Sequence, residues 1–375
     1  MASPNIPLCR PTIDEHELTA VAEVLKSGWL THGPKTTEFE QLFADYLGVK
    51  QAIAMNSCTS ALFLALVANN IRGDVLVPSF TFVASANAIV TAGAKPVFVD
   101  IHYHDCNVDA AALESSLTPE TEAIMIVHYG GQLCEMDAIA AFAETHHLLL
   151  IEDSAETIGG LYDGKKSGSW GIGCFSFFPT KNITTGEGGM LTTSDAAFAN
   201  RVRMLIGHGI DKTTLQREQD ARPWFRAATT AGYNFRMSNI LAAIGVEQMR
   251  KLDWMNQARR DHSAYLRDNL SDIDEIDLPV ENARARHVYQ MFTLKVKNGR
   301  RDALVADLVN QGIGASVHFD PPVHLHPAYA AYQTCDLPIT EQVARQIVTL
   351  PMFPQLTRPQ LDSIIDAIRG FFTHG

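Results

Sequence analysis

Positive charge is the scarcest commodity of this sequence. Thirty Lys and Arg stand against 42 Asp and Glu, a net charge of −12, so the basic footprint that nucleic acid or an anionic membrane surface requires is missing. The six cysteines (Cys9, Cys58, Cys106, Cys134, Cys174, Cys335) form no CxxC pair and read as isolated reduced thiols of a cytoplasmic protein. The opening MASPNIPLCRPTIDEHE lacks the apolar core of a secretory leader. No long apolar run is present either. Val75 to Ala94 is 20 residues without a charge, but Pro78, Ser79, Thr81, Ser85, Asn87 and Thr91 interrupt it; it suits a buried strand and a small-residue helix, not a membrane span. There is no GxGxxG or Walker pattern to name a nucleotide, no internal repeat and no low-complexity tract. The 14 histidines, including His102/His104, His146-His147 and His324/His326, lack a second cluster at metal-ligand spacing, so surface or capping roles are expected and no metal.

What is present is regular. Short apolar runs at 51–55, 75–78, 95–100, 122–130, 148–153, 173–178 and 189–193 alternate, in their earlier part, with helical patterns at 59–69, 82–92, 109–117 and 135–146. Several runs are apolar on both faces, as strands covered by helices on each side must be. The alternation predicts an α/β fold: a mostly parallel central sheet, doubly wound, with helices on both faces. After residue 148 the spacing tightens, which suggests hairpin or edge strands. Two helices, Ile13–Ser27 and Thr36–Leu47, precede this core, and a long helix over Ser238–Leu270 follows it. Strand, helix and strand patterns at 287–297, 301–312 and 313–319 then suggest a smaller C-terminal α/β domain, dividing the chain into 1–250 and 251–375. The charged, pattern-poor stretch Gly209–Ala228 reads as a long surface loop or an excursion toward a partner subunit.

Three local features carry chemistry. Asn56-Ser57-Cys58-Thr59-Ser60 follows a strand and opens a helix, so free amides and hydroxyls gather where helix polarity favours an anion; taken alone, it reads rather as an ordinary helix cap. Asp153 closes LLLIED at the carboxyl end of a buried strand, where open α/β sheets place ligands. It needs a cationic or hydrogen-bonding partner to stay ionised there. Lys181 lies in FSFFPTKN, just past an apolar strand and before Gly186-Glu187-Gly188-Gly189, where a partly desolvated amine can attack a carbonyl. Their order joins them. An anion cup, a strand-end Asp roughly a hundred residues later and a Lys some thirty beyond suit pyridoxal phosphate: phosphate in the cup, pyridine nitrogen on the Asp, aldehyde on the Lys.

These segments, with GWLTHGPK, NSCTSAL, PSFTFVASANAI, IEDSAETIGG, FSFFPTKNITTGEGG, GYNFRMSNI and HLHPAY, resemble over nearly the whole chain the sugar aminotransferases named for DegT, DnrJ, EryC and StrS, of fold-type I. The resemblance implies Lys181 as Schiff-base lysine and proton shuttle and Asp153 as partner of the pyridine nitrogen. It implies Ser57, Cys58, Thr59 and Ser176 at the phosphate and Phe82 stacked on the ring. Asn234 would reach the phosphate site of a neighbouring subunit, making at least a homodimer. Phe178 and His324 would lie toward the substrate, and Arg236 would serve an anion or fix its loop. Two positions depart from the pattern. Cys58 stands where many members have Gly. Glu156 stands where many have Gln or His; it is implied to contact the ring-hydroxyl region, sharing a proton there. Some members that aminate GDP-linked 4-keto sugars carry Glu at this place.

The activity implied is amino transfer, by ping-pong kinetics, from an amino acid such as glutamate to a keto sugar attached to a nucleoside diphosphate. Dehydratases of the same fold carry His in place of the lysine, so Lys181 favours transfer. A non-catalytic regulator that kept the fold is the reading of another class, against which the set Asp153, Ser176, Lys181 and Asn234 speaks.

Overall fold

Strand patterns that are apolar on both faces need a cover on each, and the computed structural model, which describes residues 5–211, 222, 224, 226–333 and 336–374, shows how it is supplied. The strands β1 (Gln51–Met55), β2 (Asp74–Pro78), β3 (Lys95–Val99), β4 (Thr121–Val127), β5 (Leu149–Asp153), β8 (Ile172–Ser176) and β9 (Gly189–Thr193) form one sheet in the order β1-β9-β8-β5-β4-β2-β3. Only β9 runs against the rest. The tightened spacing after residue 148 thus marks the antiparallel β8–β9 pair, but β9 lies inside the sheet rather than at its edge. It occupies the gap between β8 and β1, and the loop between β8 and β9 carries Lys181.

Alternate strand residues face opposite layers. Val75, Val77, Met125 and Ile151 pack with α3 (Cys58–Val67), α4 (Ala84–Thr91) and α7 (Ala196–Ile206). Leu76, Ile124, Ile126 and Leu150 pack with α5 (Ala110–Ser115) and α6 (Met136–Thr145). On that second face the β1, β8 and β9 end of the sheet is covered by α2 (Pro34–Leu47) and α8 (Asn239–Leu270). There Phe43 meets Phe175 edge-on at 4.9 Å between ring centroids and Phe39 meets Phe177 at 5.1 Å. Helix α1 (Glu15–Ser27) opens with a capping box at Asp14 and Glu17 and packs on α8.

Helix α8 is a single element of 32 residues capped by the Ser238 side chain. Val246, Leu252 and Met255 belong to the core under the large sheet. Leu266 and Leu270 belong to a second core with β10 (Ile276–Asp277), β12 (Phe292–Val296), β13 (Ile347–Leu350), α9 (Arg301–Asn310) and α11 (Arg358–His374). The change from one core to the other therefore falls inside a helix, between Met255 and Leu266, and the 250/251 boundary expected from sequence lies within it. The three strands of this second layer are antiparallel, in the order β10-β12-β13. A small third sheet joins β11 (Ala285–Arg286) to β6 (Leu161–Tyr162) and β7 (Lys165–Lys166).

The strand expected at 313–319 is not formed. Ile313 bridges Ile6 and Ser316 bridges Thr349, so the segment is divided between two neighbours and builds no ladder with either. The strand β13 and the helices α10 (Pro338–Gln346) and α11 had no reading from sequence. Of the loop expected at 209–228, residues 212–221, 223 and 225 lie outside the described residues; Ile210 and Ala228 near its ends form a bridge. Among the described residues no helix is long and apolar enough to cross a membrane.

The aromatic cluster couples α2 to the strand that leads into the Lys181 loop. Phe43 is fully buried, and Phe43→Ala is expected to lower the unfolding free energy by about 3–5 kcal/mol, read from the shift in urea midpoint at unchanged slope.

Candidate active site

The segments that follow β1, β2, β5 and β8 converge around a cavity of about 410 Å³, which residues 290–291, 318–319, 349–350 and 352 also line. At the end of β1 the Ser57 side chain caps α3, its Oγ accepting the Ser60 N–H at 3.1 Å. The amides of Cys58 and Thr59, the next two of the helix, find no acceptor among the described residues. This leaves two N–H groups and a helix N-terminus for an anion. The turn is pinned from two sides. The Asn56 N–H donates to the Phe235 carbonyl at 2.8 Å. Gly189, first residue of β9, lies so close that a Cβ would stand 2.3 Å from the Ser57 carbonyl carbon and 2.4 Å from the Cys58 nitrogen.

Asp153 and its neighbour Glu152 point to opposite sides of β5. Glu152, fully buried, accepts the N–H groups of Gly168, Trp170 and Gly171 at 2.8, 2.7 and 2.8 Å and faces His128 Nε2 at 3.1 Å. His128 Nδ1 accepts the Cys134 N–H, so Nε2 carries the proton and donates to Glu152. This fixes the far end of the 154–171 excursion, whose near end bears Ala155 and Glu156. Asp153 is 6% exposed. Its Oδ2 accepts Ser85 Oγ at 2.8 Å; its Oδ1 accepts the Ala155 N–H at 3.2 Å and faces Cys58 Sγ at 3.9 Å. Burial pushes the carboxyl up; Ser85, Ala155 and Lys181 pull it down, and Glu156 pushes it up again. A carboxylate so placed wants a cation.

Lys181 is held by its loop. Its N–H bonds the Phe178 carbonyl at 2.9 Å, Thr184 Oγ1 donates to the Phe177 carbonyl at 2.8 Å, and Gln290 Nε2 donates to the Thr180 carbonyl at 3.0 Å. Its Nζ sits 3.2 Å from Glu156 Oε1, while Glu156 Oε2 accepts the Gly130 N–H at 2.8 Å. Ser176, Phe82 and Phe178 also line the cavity. Phe82 is 60% exposed, its ring tilted against Phe319 at 6.2 Å between centroids.

Two expected residues lie apart from this group. His324 is 1% exposed and does not line the cavity; its Nδ1 is 2.6 Å from Ser79 Oγ and its ring packs on Phe98. The 3-10 turn Val323–Leu325 that carries it lies against the loop after β2. Asn234 is exposed, bridges Gly207 and does not line the cavity of its own chain. The histidine pairs have local uses: His102 meets Asp109 and His146 meets Glu114, and no group of three or more possible metal ligands occurs among the described residues.

Sequence reasoning did not single out Thr81, Ser85, Gln290, His318 or Thr349. His318 lines the cavity with its Nδ1 2.9 Å from Thr349 Oγ1, and burial holds its pKa below the usual value. Ser85 stood inside a quoted motif, but nothing in a run of small residues marks which hydroxyl meets a carboxylate a sheet-width away.

The cavity thus offers an anion cup, an amine, an exposed ring and a buried carboxylate. These match the phosphate, aldehyde, ring and protonated nitrogen of pyridoxal phosphate. Because Gly189 presses on backbone atoms of the cup, Gly189→Ala is expected to displace the Ser57–Cys58 turn. The affinity for pyridoxal phosphate should fall about tenfold or more, measured by fluorescence titration of the apoenzyme; an unchanged affinity would show that the cup does not hold the phosphate.

Comparison with known proteins agrees with the geometry. The model of the DegT/DnrJ/EryC1/StrS aminotransferase family matches residues 11–369. The chain is 42% identical over 373 residues to the GDP-perosamine synthase of Caulobacter vibrioides, covering 97% of this chain and 98% of that one. The fold superposes on that of S. venezuelae DesV with a TM-score of 0.90 at 34% identity, over 98% of both chains. It superposes on the PLP-form of Spr1654 from Streptococcus pneumoniae with a TM-score of 0.92 at 27% identity, over 99% of both. The chain therefore belongs to the DegT/DnrJ/EryC1/StrS family and is a pyridoxal-phosphate-dependent sugar aminotransferase.

Proposed function

We propose that this enzyme moves an amino group from an amino acid, glutamate, to the keto carbon of a GDP-linked 4-keto-6-deoxyhexose, in the cytoplasm. The observation that carries the reading is the Lys181–Glu156 pair at 3.2 Å: a lysine in place for transfer rather than dehydration, beside a Glu that some members of the family acting on GDP-linked 4-keto sugars carry at this position. The 42% identity to a protein named GDP-perosamine synthase supports the same class.

Each residue has a task in this reading. Bound in the cavity, pyridoxal phosphate supplies an electron sink for the charge that develops when a proton leaves the substrate carbon. Cys58 and Thr59 amides, with Ser57 and Ser176, hold the phosphate, and Phe82 covers the ring. Asp153 would accept a charge-assisted hydrogen bond from the protonated pyridine nitrogen. Lys181 Nζ would hold the cofactor through its aldehyde and, as the free amine, would take up and give back the proton at the substrate carbon. Glu156, tethered by Gly130 and 3.2 Å from Lys181 Nζ, would share a proton with the ring hydroxyl. Asn234, exposed on its own subunit, completes the phosphate site of a second copy, so the working unit is a homodimer.

Lys181→Ala is expected to abolish amino transfer while the fold persists. With glutamate and a panel of keto sugar nucleotides, mass spectrometry of the wild-type products should find the amine on the GDP-linked 4-keto-6-deoxyhexose. A product that has lost oxygen without gaining nitrogen, or amination confined to other nucleotides, would contradict the proposal.

A further inference from the structure

A carboxylate has about four lone-pair sites, and three of those on Asp153 face donors of the chain itself: Ser85, Ala155 and Cys58. The strongest of these is not a lone contact. Ser85, in the first turn of α4 and 1% exposed, lies 2.8 Å from Asp153 Oδ2 and 2.9 Å from Thr81 Oγ1, itself 2% exposed. A hydroxyl has one proton. If Ser85 gives its proton to the carboxylate, only a lone pair remains for Thr81, so Thr81 must donate. The direction Thr81 to Ser85 to Asp153 is therefore fixed, and each bond polarises the next.

We propose that Thr81 and Ser85 are positioning residues that hold Asp153 ionised and aimed into the cavity, and that their relay sets the acid limit below which the enzyme releases its cofactor. The inference rests on Asp153 as the partner of the pyridine nitrogen. Asp153 is faced by Ser85 from α4, Cys58 from α3, Glu156 from the segment after β5, Lys181 from the β8–β9 loop and Cys174 from β8. Burial holds both thiols protonated, far above their usual range. Lys181 and Glu156 pair with each other and hydrogen-bond to neither hydroxyl; Thr81 lines the cavity and Ser85 does not, so Ser85 is the position whose change reaches the site through Asp153.

The sign follows from which form is bonded. Cofactor binding needs the carboxylate, so affinity falls as pH drops through the Asp153 pKa of the free enzyme. The Ser85 bond favours the charged form and lowers that pKa against the burial that raises it. Removing the bond raises the pKa and moves the loss of affinity to higher pH.

The test is the pH dependence of apoenzyme affinity for deoxypyridoxine phosphate, which lacks the aldehyde and so excludes the chemistry of Lys181. The probe's own titrations are common to every variant and cancel in the comparison. Asp153→Asn should remove the acid limb set by the enzyme; if it does not, Asp153 is not the nitrogen partner, and the role assignment fails rather than the relay. With that limb removed, Ser85→Ala should move the wild-type midpoint up by about one pH unit, Thr81→Val by less, and Ser85→Thr should restore it. A Ser85→Ala curve weakened by one factor at every pH, or an unmoved midpoint, would overturn the proposal. Should Ser85→Ala fail to fold, an unmoved midpoint in Thr81→Val would do the same.

Discussion

The carboxylate of Asp153 is costly to place where it is, 6% exposed at the end of β5, and several neighbouring groups offset that cost. Taking an ion from water into a site this buried costs several kcal/mol, and a hydrogen bond to a charged group returns about 1.5–3. The Ser85 hydroxyl and the Ala155 amide supply the clearest of these bonds, and the remaining demand is for a cation. That demand can be met by a protonated pyridine, which is why the group belongs at a strand end facing a cavity and would be unsupported inside the sheet. The same strand uses its preceding residue for the opposite purpose. Glu152, with three amides and a histidine around it, is satisfied entirely by the chain and binds nothing.

A chain of net charge −12 must still hold a phosphate, and it does so without a cluster of basic side chains. Among the described residues that line the cavity, Lys181 is the one Lys or Arg, and it is matched by Glu156. In the proposed site the phosphate would rest on helix polarity and two amides, in a turn fixed by the close approach of Gly189. Backbone groups do not titrate and need no counter-ion, so the two amides add no pH dependence of their own.

The large sheet could be read from sequence because its strands are short and apolar on both faces, and as far as β5 they are separated by helices; Gln51–Met55, Gly189–Thr193 and the helix over 239–270 follow the expected ranges closely. What could not be read is whatever depends on contacts remote in sequence. The place of β9 between β8 and β1 is such a case, and so is the division of 313–319 between Ile6 and Thr349. The convergence of Ser57, Asp153, Ser176 and Lys181 on one cavity was legible because each sits at a strand end or in a turn with its own chemical signature. Ser85 and Thr81 carry no such signature; their significance comes only from the 2.8 Å that separates one of them from Asp153. His324 shows the reverse: a histidine in a suggestive motif that the fold buries against Ser79.

The central claim is that Asp153 holds a protonated pyridine nitrogen. The most direct measurement is the nitrogen-15 NMR shift of pyridoxal phosphate, labelled at the ring nitrogen and bound to the wild-type enzyme. The account predicts the shift of a protonated pyridine that stays constant across the neutral pH range. The shift of a neutral pyridine, or one that titrates through that range as in free solution, would contradict it.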